Sequence, residues 1–183
     1  MACDLTRGRK EPCKDSVGGL RAVYFTDFGD YGTVTQDADD QITDMSGTFT
    51  AYKYDLKGSS SFEQAITASR ENGTTFFEQT LNLTLKKLSK EDHKEIKLLA
   101  YGRPHVAVED YNGNVFVMGL EHGADVSGGT IVTGGAMGDL SGYTLTMTAQ
   151  ELKPANFVDT PTASDPFAAM SSATVTVTVG TNS

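Results

Sequence analysis

Tryptophan is absent from this chain of 183 residues, and cysteine occurs only twice, at Cys3 and Cys13. The two thiols lie ten residues apart in a charged stretch with no histidine near them, which is not a zinc-ligand spacing. Free thiols are the expectation for a chain folding in the cytosol, with a single disulfide as the alternative. Basic residues are also scarce: 15 Lys and Arg face 24 Asp and Glu, a formal net charge of −9. That balance argues against a nucleic-acid reader, which needs a basic face, and predicts a surface that repels DNA. No segment approaches the roughly 20 apolar residues of a membrane span. The opening Met1–Lys14 lacks the apolar core of a signal peptide, so the sequons at Asn72 and Asn82 carry no meaning.

Recognisable reaction chemistry is missing too. Among His93, His105 and His122 there is no HxH or HxxxH pair. No Gly-x-Ser-x-Gly elbow occurs, although a Ser-His-Asp triad built from distant residues stays open. Gly134-Gly135-Ala136 lacks the lysine of a phosphate-binding loop. Asp37, Asp39 and Asp40 superficially suggest a calcium loop. However, Ile42 and Thr48 stand where its glycine and bidentate glutamate belong. A solvated acidic loop is the expectation there, with an adventitious calcium site as the alternative. No catalytic residue, metal or cofactor is expected.

What the chain does contain is period-two alternation. In 141–152, Tyr143, Leu145, Met147 and Ala149 alternate with Thr144, Thr146, Thr148 and Gln150. In 76–86, Phe77, Leu81, Leu83 and Leu85 alternate with Glu78, Thr80, Asn82 and Thr84. Such patterns specify half-buried antiparallel strands with one side on a core and one side wet. Leu20–Phe28, Gly47–Lys57 and Ala173–Val179 read as further strands. His105–Gly119 reads as a hairpin whose Asn112-Gly113 suits a type I′ turn. Residues 27–46 read as a long polar loop. The glycine-rich run 121–142 reads as turns, or as a flexible segment that orders on assembly.

Two helices are expected. One is capped by Ser60 with Glu63, carries Phe62, Ala65, Ile66 and Ser69 inward, and ends at Gly73. The other starts at Ser89 with Asp92 and stops at Gly102 before Pro104. With about seven strands, the fold class is mainly β: an antiparallel sandwich or barrel-like fold with one or two short flanking helices. The expected layout is an N-terminal arm (1–19), a β-sandwich domain (20–152) and a Pro-bearing C-terminal segment with a final strand (153–183).

The order of hairpin (Val-Glu-Asp-Tyr-Asn-Gly-Asn-Val-Phe), glycine-rich loop and Gly-Tyr-Thr-Leu-Thr-Met-Thr-Ala-Gln-Glu-Leu-Lys-Pro-Ala strand is similar to that of tail tube proteins of tailed bacteriophages. The opening Met-Ala-Cys-Asp-Leu-Thr-Arg-Gly-Arg-Lys-Glu-Pro-Cys-Lys-Asp-Ser-Val-Gly-Gly-Leu-Arg-Ala-Val-Tyr-Phe resembles virion proteins from phages of Bacteroidetes-type hosts. The likeness spans most of residues 1–152. It implies a β-sandwich subunit forming hexameric rings that stack into a hollow tube, a conduit for genome ejection in the virion tail. It also implies that the subunit is made in the host bacterial cytoplasm, with copies of itself and other tail and neck proteins as partners and no membrane. DNA would pass without specific binding: six subunits would carry about −54 formal charge, screened within about 8–10 Å by salt. Asp37, Asp39, Asp40 and Asp44, with Gly128, Gly129, Gly134 and Gly135, are then candidate inter-subunit or lumen-facing residues. An ordinary surface loop is the alternative for the aspartates. A neck, terminator or tail-completion ring is the nearest rival function, a tube from a phage-derived injection machine another. A sugar- or calcium-binding surface module is the rival of a different class.

Overall fold

The computed structural model describes residues 5 and 7–180, so Cys3 and the expectations placed on the first four residues and on Thr6 lie outside it. Alternation builds the first layer. β5 (Ser61–Ser69), β6 (Thr74–Lys86), β9 (Asp125–Val132) and β10 (Gly142–Glu151) form a four-stranded antiparallel sheet in the order β5-β6-β10-β9. Register puts Leu81 opposite Met147 and Leu83 opposite Leu145, so one apolar row crosses the sheet and points inward.

The second layer is a six-stranded sheet. Its order is β11 (Asn156–Phe157), β8 (Val115–Met118), β7 (His105–Asp110), β1 (Leu20–Thr26), β4 (Thr48–Asp55), β12 (Thr174–Val179). Val23, Phe25, Val106 and Val108 face the first sheet and close the main core, which Ile96 of α1 (Lys90–Tyr101) also enters. Ser89 caps that helix by accepting the Asp92 N–H at 3.0 Å, and the chain leaves it at Gly102. The sandwich and this helix agree with the expectation.

The six-stranded sheet is covered on its other face as well, which explains why β1 and β7 are buried almost continuously rather than alternately. A second core holds Tyr24, Phe49, Ala107 and Val117 under Tyr31, Ile42, Met45, Phe167 and Met170. Ile42 and Met45 belong to a small hairpin of β2 (Val34–Gln36) and β3 (Ile42–Met45). Residues 27–46 are therefore not simply a polar loop. The two strands are too short for a period to register, yet they cover the sheet. Phe167 and Met170 come from the Pro-bearing segment, and β12 then pairs in parallel with β4, the exception among antiparallel ladders. Asp44 holds this return by accepting the Ser172 N–H and the Ser171 and Ser172 hydroxyls.

Three further expectations are corrected. The first helix is absent: 61–69 is strand β5, paired along its length with β6. A lone segment of about ten residues makes a marginal helix, and the long free edge of β6 offers it a full ladder instead. Ser60 accepts the Thr84 N–H and does not cap Glu63. The β7–β8 turn has positive φ at Gly113 and not at Asn112, with Gly113 N–H bonded to the Asp110 carbonyl. It is a type I turn closed by a glycine bulge, not type I′. Asp110 selects it, its carboxylate accepting the N–H groups of Asn112 and Asn114. Finally, the glycine-rich run contains β9 and is not turns throughout. The described residues hold twelve strands and one helix rather than seven and two.

Candidate functional site

The inward rows of the four-stranded sheet leave its opposite face to solvent. Thr144, Thr146 and Thr148 of β10 lie opposite Thr84, Asn82 and Thr80 of β6. Ser61 and Glu63 extend two of these rows on β5, and Thr130, Gly128 and Asp125 continue all three on β9. Cross-strand bonds stiffen the face. The Thr146 hydroxyl donates to the Asn82 side-chain carbonyl at 3.0 Å, and the Thr130 and Thr144 hydroxyls meet at 2.6 Å. Glu63, Glu78 and Asp125 share the face with Lys86, so it is hydroxyl-rich and acidic. Both borders are edge strands without a partner among the described residues, β5 on one side and β9 on the other. Ile131 of β9 is 52% exposed at that border.

The four candidate aspartates are not gathered into a site. Asp37 accepts the N–H groups of Asp39 and Gln41 at 2.9 Å each, an Asx turn at the tip of the β2–β3 hairpin. Asp39 pairs with Arg7 of the arm at 3.6 Å. Asp40, at positive φ, pairs with Lys153 at 2.9 Å. Asp44 points to Ser172, whose hydroxyl and N–H hold its carboxyl below the usual carboxylate range. Gly128 and Gly129 lie in β9. At Gly129 a Cβ would stand 2.4 Å from the Thr144 carbonyl oxygen, while at Gly128 it would meet open space. Gly134 and Gly135 open the following loop, where the Asp139 carboxylate accepts the Gly135 and Ala136 N–H groups.

Two histidines have settled environments that local spacing did not announce. His105 is buried and stacks on Tyr31 at 4.5 Å and on Phe28 at 4.9 Å. Its Nδ1 donates to the Gly119 carbonyl at 2.7 Å, and its Nε2 accepts the Gly29 N–H at 3.0 Å, which makes the ring neutral. Burial lowers its pKa, outweighing the bond to Gly119 and the charges of Glu151 and Asp30, with Arg103 adding to the lowering. The unfolded chain therefore binds the extra proton first, so stability is full above about 6.5 and falls as pH drops below it. Urea midpoints at pH 7.5 and 5.5 should show a wild-type loss that His105→Phe lacks. An equal loss in both proteins would assign the acid sensitivity elsewhere.

His122 is exposed, and its Nδ1 lies 2.9 Å from Oε2 of Glu151, which is only 5% exposed. The other oxygen of Glu151 accepts the N–H groups of Glu121 and His122 at 3.0 and 2.9 Å. Hydrogen bonding to Glu151, followed by its charge, raises the His122 pKa. The partners are 29 residues apart, so only the return of β10 beneath the 119–123 turn brings them together.

No known protein family, curated protein or solved structure matches the chain. No helix among the described residues is long and apolar enough to cross a membrane.

Proposed function

We propose that this chain is the structural subunit of a bacteriophage tail tube, closing into rings that stack into a conduit for the ejected genome. The observation that carries the reading is one sheet with an acidic, threonine-lined face and, on each side, an edge that no other described strand pairs. A solvated face of this kind suits a lumen wall, since it holds water and repels phosphate. Free edges are aggregation hazards in a monomer and become joints if β9 of one copy pairs with β5 of the next.

Six copies would then contribute 24 strands. At about 4.8 Å per strand the ring would be about 37 Å across at the backbone, widening to about 48 Å at a tilt of about 40°. Side chains on the wet face would still leave room for a nucleic-acid duplex. The partners on this reading are further copies and other tail and neck proteins. The setting is the virion tail, assembled in the cytoplasm of a host bacterium.

Electron microscopy of the purified protein across a concentration series tests the assignment. Rings of this width that stack into open-ended tubes are the expected result. Rings that never stack would move the protein to a neck, terminator or completion role, because a tube subunit needs two complementary stacking faces. Monomers at every concentration, also in the presence of tail initiation proteins, would overturn it.

A further inference from the structure

We infer that Glu121, His122 and Glu151 form a binding site for a divalent transition-metal ion of the zinc type, where the 119–123 turn meets the end of β10. This site does not depend on the tube reading. One donor atom from each of the three side chains lies within 4.8 Å of the other two. A tetrahedral ion with ligands at about 2.1 Å needs its donors about 3.4 Å apart. The 2.9 Å between His122 Nδ1 and Glu151 Oε2 must open to that value, and separations of up to 4.8 Å must close to it, which rotation of the exposed Glu121 and His122 side chains allows.

The site is built, not merely crowded. Glu151 is aimed by two backbone N–H groups that hold its Oε1, leaving Oε2 for the ion. Such outer hydrogen bonds orient ligating carboxylates. The turn that carries the other two ligands is stiff: Gly119 and Gly123 both have positive φ. A Cβ at Gly119 would stand 2.5 Å from the Gly123 carbonyl carbon, and one at Gly123 would stand 2.8 Å from the Arg103 carbonyl oxygen.

A cavity of about 10 Å³ borders Glu121 and Glu151 but not His122, its other walls being Gln79, Asn156, Lys153 and the apolar Val117, Leu120 and Pro154. That is room for roughly one water beside the two carboxylates. The ammonium of Lys153 is drawn away to Gln36 and Asp40, each at 2.9 Å. Two carboxylates and a neutral imidazole balance a dication, and the imidazole selects zinc, nickel or copper over calcium and magnesium.

The test is calorimetric titration of the chelator-treated full-length chain with ZnCl₂, repeated for His122→Ala and Glu121→Gln. Both residues are exposed, so both variants should fold, which a melting curve verifies. One ion per chain is expected, with affinity reduced about tenfold or more in His122→Ala and less in Glu121→Gln. Cobalt should give visible ligand-field bands in the wild type that vanish in His122→Ala, a signal that a simple ion pair cannot produce. Unchanged affinity in both variants would place the ion elsewhere, for instance on thiols, and overturn the site. So would the absence of binding up to about 1 mM.

Discussion

If β9 and β5 are the ring joint proposed above, Ile131→Lys is expected to leave a folded monomer that does not form rings. Ile131 lies on β9 opposite Tyr143 of β10, half exposed at the border of the four-stranded sheet. In the isolated chain a lysine here keeps its stem on the sheet and its ammonium in water, at a cost of about 1 kcal/mol or less. Melting should shift by no more than about 2–4 °C for a chain of this length. Once a neighbouring strand docks about 4.8 Å away, the same ammonium is trapped in a joint without a counter-charge. Removing such a charge from water costs several kcal/mol, and lysine on an edge is how natural sheets resist pairing. On the tube reading, electron microscopy and sedimentation should report monomers for the variant and rings for the wild type. Ring formation undiminished by this change would remove β9 from the joint.

Gly47→Ala is expected to be the most destabilising small substitution, at about 3 kcal/mol or more, a melting loss of about 6–12 °C. A Cβ at Gly47 would stand 1.8 Å from the Asp30 carbonyl oxygen and 2.7 Å from the Tyr31 carbonyl carbon. Both obstacles are backbone, so no rotamer change relieves them. Gly47 donates to the Tyr31 carbonyl and accepts from the Thr174 N–H, tying the 27–33 loop and the start of β12 to β4. Pushing that loop outward lifts Tyr31 from Phe49, Phe167 and His105, the rings it contacts in the second core. Gly128→Ala is the control, because its Cβ meets nothing within 4 Å. That variant should stay within about 0.5 kcal/mol of wild type. Equal melting of the two variants would contradict the packing described at Gly47.

Legibility followed the strength of the local signal. β6 and β10 were readable because ten paired positions repeat one alternation and hide one side of each strand. The α1 helix was readable because Ser89 and Gly102 mark its ends. β5 is ambiguous in sequence because Phe62 and Ile66 satisfy a helical stripe as well as a strand face, and only the edge of β6 decides between them. β2 and β3 leave no trace in the sequence because strands of three and four residues carry no measurable period. Gln79 shows the same limit from inside. It is a polar residue in the inward row of β6, admitted because its carbonyl accepts the Gly119 N–H across the core and its amide reaches Lys153.

The sequence alone determined the β class, the wet threonine face, the acidic balance and the α1 helix, because each is written in contiguous residues. Tertiary structure alone decided which strands border the sheet, and that 27–46 and the Pro-bearing segment cover a second core. It also decided that Asp44 meets Ser172 and that Glu151 meets His122. Those pairs join residues 29 to 128 positions apart, and no local pattern encodes a contact made only when two sheets close on each other.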